Sequence, residues 1–185
     1  MKVWELNITD IDCTSFYLPE ESKIERFQES IENMQHNEFL REDWVELVLL
    51  KSEQKNDPDF FDLLDLGIAI VNSKVQKILD DIFPDKSDYE LFPFLNDEDS
   101  YYLFKLNKFT DCLQKEESIF DALPSGQILT YESLVFNNEM IEKKPIFKIP
   151  ELPYTSFVTH AFKYYYDEAR LKGIDFDDEN VVFID

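Results

Sequence analysis

Glycine is scarce in this chain, with three residues in 185. A loop that cradles phosphate needs glycines close together, so such loops are excluded by count as well as by pattern. Cysteine is scarcer still. Cys13 and Cys112 stand 99 residues apart in no recognised ligand spacing. They fit two reduced, buried thiols of a cytoplasmic protein better than a disulfide scaffold. The two histidines, His36 and His160, complete no zinc set with them. No apolar stretch approaches the roughly 18–20 residues of a membrane span. The opening MKVWELNITD lacks the charged and then apolar pattern of a secretory signal. The largest deficit is in positive charge: 18 Lys and Arg stand against 40 Asp and Glu, a net charge of −22. Nucleic acid and anionic lipid are thereby excluded as direct partners, because phosphate contacts need Lys and Arg.

What the chain does hold is material for a core: 44% hydrophobic residues, among them 17 Phe, nine Tyr and two Trp. That content excludes intrinsic disorder. The acidity is not a tail. Residues 1–66 carry 17 acids and 6 bases, residues 67–185 carry 23 and 12, and each part stands near −11. A folded surface with this much self-repulsion either serves solubility or attracts a positive partner. One compact unit is the expectation at this length, with residues 1–66 an N-terminal region packed on a main body of residues 67–185.

Local patterns predict a strand over residues 1–8, around Trp4, and a short one over 16–18. Pro19-Glu20-Glu21 reads as a helix start, and Ile24, Phe27, Ile31 and Met34 continue it as one apolar stripe. Residues 44–50 (WVELVLL) predict a strand and residues 51–57 a loop. Next come a buried strand over 67–71 (GIAIV), Ser73 as helix cap, and the clearest helical face in the chain. That face is Val75, Ile78, Leu79, Ile82 and Phe83, stopped by Pro84. Residues 89–95 and 101–106 predict a hairpin, and further strands are expected over 128–136 and 145–149. Near the C-terminus residues 156–158 predict a strand and Thr159 a cap. Phe162, Tyr165, Tyr166 and Ala169 mark a helical face, Gly173 its stop, and residues 174–176 a last strand. Strand, capped helix, strand thus occurs twice, over 67–95 and 155–184. The fold class is α+β, a single compact domain of mixed, mainly antiparallel strands with about three main helices.

Catalytic chemistry finds little to work with. His36 lies among polar residues past the first predicted helix and reads as solvated. His160 sits in the first turn of the last helix with no Ser or Cys nucleophile in a local signature. Asp57, Asp59, Asp62 and Asp65 fall within nine residues, but the Phe and Leu residues between them describe an amphipathic turn with solvated carboxylates. The glycine and closing glutamate of a calcium loop are missing. No catalytic, cofactor-binding or metal-binding residue is assigned, and no cofactor is expected. The tyrosines at 164, 165 and 166 span too much of a helix for all to face a core, so at least one ring is exposed.

From Gly67 onward the order of segments carries a resemblance. IVNSKVQKILDDI, YELFPF, SYYLFKLNKFTDCLQKEES, IFKIPELPYTSFVTHAFKYYYDEA and LKGIDF together span about two-thirds of the chain. They resemble the bacterial immunity-protein family eleven (Imm-eleven type) of polymorphic toxin systems. Gln114 stands where that family often has Asp in a Leu-Asp-x-x-x-Ser segment, and Thr159 stands where it favours a Ser cap. The resemblance implies a cytoplasmic, non-enzymatic protein made beside a toxin, which it binds and blocks; oligomeric state stays open. An acidic inhibitor is steered toward a basic toxin, and tight binding also needs an exposed aromatic ringed by carboxylates. Two regions are nominated for that contact: Asp97, Glu98, Asp99, Tyr101 and Tyr102, and then Tyr164, Asp167, Asp175, Asp177, Asp178 and Glu179. The alternatives are an acidic nucleic-acid mimic, with carboxylates in rows at phosphate spacing, and a metal-dependent enzyme using an Asp/Glu cluster.

Overall fold

In a computed structural model of the chain, residues 2–9, 16–17, 44, 48, 50–51, 58–62, 69–94, 100–176 and 181–182 are described. Cys13, the predicted first helix, His36, Asp57 and Asp65 lie outside them. The N-terminal strands are β1 (Val3–Glu5), β2 (Asn7–Ile8), β3 (Phe16–Tyr17), β4 (Leu50–Lys51) and β5 (Phe60–Asp62). β6 (Ala69–Asn72) runs directly into helix α1 (Ser73–Ile82), followed by the hairpin strands β7 (Tyr89–Phe94) and β8 (Tyr101–Leu106). Then come β9 (Ile119–Ala122), β10 (Ile128–Ser133), the short helix α2 (Asn138–Ile141) and β11 (Ile146–Ile149). β12 (Leu152–Thr159) runs into α3 (His160–Glu168), and β13 (Ile174–Asp175) and β14 (Val181–Val182) close the chain. The fold is α+β and its described strand pairs are antiparallel. The expected strand–helix–strand pattern is present twice, as β6–α1–β7 and β12–α3–β13.

Two four-stranded sheets carry the domain, in the orders β5-β6-β8-β7 and β11-β12-β1-β14. Period-two alternation lets the second sheet bury both faces. Trp4, Ile146 and Val158 lie side by side across β1, β12 and β11 and face one core. That core also holds Val75 and Leu79 of α1, Phe162 and Tyr166 of α3, and Phe60, Val71 and Phe104 of the other sheet. Val3, Phe147 and Phe157 face the opposite way into a second core with Phe136, Leu134 and Ile141. There the rings of Phe136, Phe147 and Phe157 meet at centroid distances of 5.1–5.5 Å. α3 and the β9–β10 hairpin therefore lie on opposite faces of this sheet.

Several local expectations are corrected by tertiary contacts. Asn72, rather than Ser73, caps α1: its Oδ1 accepts from the N–H groups of Lys74 at 3.0 Å and Val75 at 3.1 Å. Thr159 has the cap backbone but makes no side-chain cap bond, because its hydroxyl donates to the Pro145 carbonyl at 3.3 Å. Gly173 does not end α3; Ala169 is the C-cap and Arg170 takes the left-handed conformation at φ 52°. Lys51, expected in a loop, is part of β4. The residues around Asp59 form a strand rather than a solvated turn, and Asp59 itself is buried. The Asp59 carboxylate accepts from the Asn72 amide at 2.8 Å and the Lys172 N–H at 2.9 Å, and Lys74 Nζ lies 3.5 Å away.

Lys148 on β11 is buried, with its ammonium 4.5 Å from the centre of the Phe109 ring. Burial, reinforced by the nearby Lys105 charge, pushes its pKa down from 10.5 to about 8. A lysine held below its unfolded value contributes fully to stability only above 10.5, and that contribution is lost as pH falls through about 8. Relative to wild type, Lys148→Met is therefore expected to gain about 1–2 kcal/mol of stability between pH 9.5 and pH 7. Urea unfolding at pH 7 and pH 9.5 checks it, with the variant's advantage shrinking at the higher pH. An advantage that stays constant across that window counts against a desolvated Lys148.

Candidate partner-binding site

Helix α3 starts from the backbone turn at Thr159 and is anchored by two rings. Phe162 and Tyr166 are buried, and the Tyr166 hydroxyl accepts from the Ile174 N–H at 3.1 Å and lies 3.3 Å from the Ile174 carbonyl. With position 166 inside, the helical repeat turns its two predecessors outward. Tyr164 is 62% exposed and Tyr165 43% exposed, and their rings meet edge to face at 5.6 Å. Tyr165, expected on the core face, is instead half of an external aromatic pair.

The nominated residues divide sharply. Tyr101 is only 3% exposed, because β8 belongs to a sheet covered on both faces and its ring packs on Phe61 at 5.3 Å. Its ring is not at the surface, and Tyr102 beside it is half-buried. Asp97, Glu98, Asp99, Asp177, Asp178 and Glu179 lie outside the described residues. Tyr164, Asp167 and Asp175 are exposed. The described part of this segment is balanced in charge, however. Residues 160–176 hold three acids (Asp167, Glu168, Asp175) and three bases (Lys163, Arg170, Lys172). Asp167 is already paired with Lys163 at 2.8 Å, and Lys163 also lies 4.9 Å from the Phe176 ring.

Among the described residues, the β9–β10 hairpin combines apolar exposure with unbalanced acidity. Here Ile119 is 58% exposed, Leu129 60% and Leu123 42%. Phe120, Ile128 and Tyr131 point the other way, onto the second core. The hairpin is a separate two-stranded sheet, in which Tyr131 pairs with Phe120 and Thr130 with Asp121. Its turn is Pro124-Ser125-Gly126, with Gly126 at φ +91°. That turn signal between apolar runs could have revealed β9, which sequence patterns left unassigned. The base of the hairpin is clamped by Ser118, whose hydroxyl donates to the Gln114 carbonyl at 2.8 Å and accepts from the Val135 N–H at 2.9 Å. The Leu113–Ser118 segment is thus a structural joint. Gln114 serves it through its backbone, so the change from Asp leaves the joint intact.

Among the described residues no group of three or more His, Cys, Asp or Glu side chains is placed to hold a metal ion. Cys112 is free and buried; burial first, then the Glu151 and Asp111 charges, push its thiol up to about 12. A thiol so placed stays protonated at neutral pH and is not an activated nucleophile. His160 is exposed. No helix among the described residues is long and apolar enough to cross a membrane.

No curated protein matches the chain at a significant level. A family model does match, over residues 15–181, and so takes in most of the N-terminal region that the local resemblance had left aside. With nearly its whole length covered by that model, and the clamped Leu113–Ser118 joint and both strand–helix–strand units inside the match, the chain belongs to the immunity protein family (Imm11).

Proposed function

We propose that this protein is a non-enzymatic, cytoplasmic inhibitor that binds and neutralises a cognate bacterial toxin of basic character. Family membership supplies the class of activity, and the net charge of −22 is the single observation that carries the chemistry of the partner. Charge spread over the whole chain cannot act as a detachable tail. It acts as a field that draws a cationic partner in before contact. Such steering speeds association to about 10⁸–10⁹ M⁻¹s⁻¹ in favourable cases and fades as salt screens it. Neutralisation then follows from occupying the toxin's working surface, with no bond made or broken.

The test uses the purified chain and the toxin domain encoded beside it. Stopped-flow mixing and calorimetry are expected to give a one-to-one complex whose association rate falls at least about tenfold between 20 mM and 500 mM salt. Co-expression is expected to restore growth to cells making that toxin. Absence of binding at 20 mM salt disposes of the proposal. Tight binding with a salt-independent rate disposes of the basic partner while leaving neutralisation standing.

A further inference from the structure

We infer that the solvent face of the β9–β10 hairpin is the apolar anchor for a cationic protein surface, and that the Tyr164–Tyr165 face of α3 is not. The inference rests on the proposed toxin-binding role and locates it. Its first ground is composition in space. Ile119, Leu123 and Leu129 are each more than 40% exposed on one short hairpin. They are spread along the hairpin from its base at Ile119 to its turn at Leu123, with Leu129 opposite the far end of β9. Exposed apolar surface rimmed by polar residues marks an interaction site.

The second ground is charge. Between Asp111 and Leu134 the chain holds five carboxylates (Asp111, Glu116, Glu117, Asp121, Glu132) and one cation, Lys115. Lys115 is already taken by Glu151 at 2.7 Å. Among the described residues Glu116, Glu117, Asp121 and Glu132 have no cationic partner. An apolar centre with an acidic rim is the complement of a basic surface carrying an apolar hollow. The α3 face has the aromatic rings, but over the described residues 160–176 its three acids and three bases cancel. The same charge argues against a second copy as occupant, because two chains at −22 would bring their acidic rims together.

The third ground is rigidity. The hairpin is pinned by Phe120, Ile128 and Tyr131 on the core, by the Tyr131 hydroxyl donating to the Glu5 carboxylate, and by the Ile128 N–H donating to the Glu151 carbonyl at 2.9 Å. The Ser118 clamp fixes its base. A surface held this way loses little conformational freedom on docking, which favours affinity.

The experiment compares wild-type chain, the double variant Ile119→Glu/Leu129→Glu and the double variant Tyr164→Ala/Tyr165→Ala for binding to the toxin domain encoded beside this chain. Circular dichroism and melting temperature establish that each variant is folded. Should the hairpin variant melt early, Leu123→Ser at the hairpin turn replaces it. The hairpin variant is expected to weaken binding by about 100-fold or more, Leu123→Ser by about tenfold, and the tyrosine variant by less than threefold. Hairpin amides are expected to gain protection from hydrogen exchange in the complex. If the wild type binds and the folded hairpin variants bind equally well, or the tyrosine variant alone loses affinity, the assignment is overturned. If the isolated wild type sediments as a dimer at low salt and the hairpin variant as a monomer, a second copy is the occupant and the assignment is again overturned. Failure of the wild type to bind at all strikes the toxin-binding role itself, a result distinct from these.

Discussion

Replacing Gly173 by alanine is expected to cost about 4 kcal/mol of folding stability and to lower the melting temperature by roughly 10 °C. Two separate penalties combine at this position. Its φ of +105° lies where side chains are strained, which accounts for about 1–2 kcal/mol. An added Cβ would also stand 2.1 Å from the Phe60 carbonyl oxygen and 3.0 Å from its carbonyl carbon. Both are backbone atoms, so no side chain can swing aside. Moving either segment disturbs the hydrogen bonds around it: Thr9 N–H to the Gly173 carbonyl at 3.0 Å, and Asp59 N–H to the Lys172 carbonyl at 2.9 Å. Gly126 provides an internal control, with a similar φ of +91° but nothing within 4 Å of an added Cβ. Gly126→Ala is expected to cost only about 1 kcal/mol. Denaturant unfolding of the two variants separates strain from collision. Equal losses in both would mean that the close approach at Gly173 has no energetic weight.

The second large effect is expected beside Gly173, at Asp59, which precedes Phe60 and bonds Lys172. Asp59→Ala removes a buried acceptor from the Asn72 amide and the Lys172 N–H and leaves both donors without it, a loss of about 3 kcal/mol. Lys74, at 3.5 Å and half-exposed, adds little. The consequence extends to α1, because Asn72 donates to Asp59 with one end of its amide and caps the helix with the other. Asn72→Asp is therefore expected to be worse than Asn72→Ser. Asp and Ser are comparable caps in general, but here a second carboxylate would face Asp59. Urea unfolding of the three variants, with helix content followed by circular dichroism, measures the order. An Asn72→Asp chain as stable as Asn72→Ser would show that the link between Asp59 and the cap is weak. Because Asp59 and Gly173 brace the same crossing of chain segments, the Asp59→Ala and Gly173→Ala losses are expected to fall short of additive.

These two residues also mark where reading along the chain stops being informative. Asp59 sits among acids in sequence and reads as solvated; its partners Asn72 and Lys172 lie 13 and 113 positions away. Gly173 reads as a helix stop, yet what requires a glycine there is the backbone of Phe60. Tyr101 reads as a hairpin aromatic free to meet a partner, and is buried because its sheet is covered on both faces. β9 passes unnoticed because three of its four residues are exposed and only Phe120 packs inward, so no apolar alternation marks it.

Other features were legible because their causes are local. The α1 face, with Val75 and Leu79 buried, follows from a period near 3.6 within one segment. The β7–β8 pairing, from Tyr89 opposite Leu106 to Phe94 opposite Tyr101, follows from two aromatic runs flanking polar residues. That at least one of Tyr164, Tyr165 and Tyr166 reaches solvent follows from helical geometry alone, whereas Tyr165, expected inside, is turned out by the way α3 packs through Phe162 and Tyr166. By itself the sequence determined the α+β class, the acidic field and the family, since composition, periodicity and motif order need no third dimension. Only the tertiary structure decided which aromatic rings reach solvent and which carboxylates stand without a counter-ion. Those properties depend on what packs against a residue from far along the chain, and they move the apolar, acidic surface from the tyrosines of α3 to the β9–β10 hairpin.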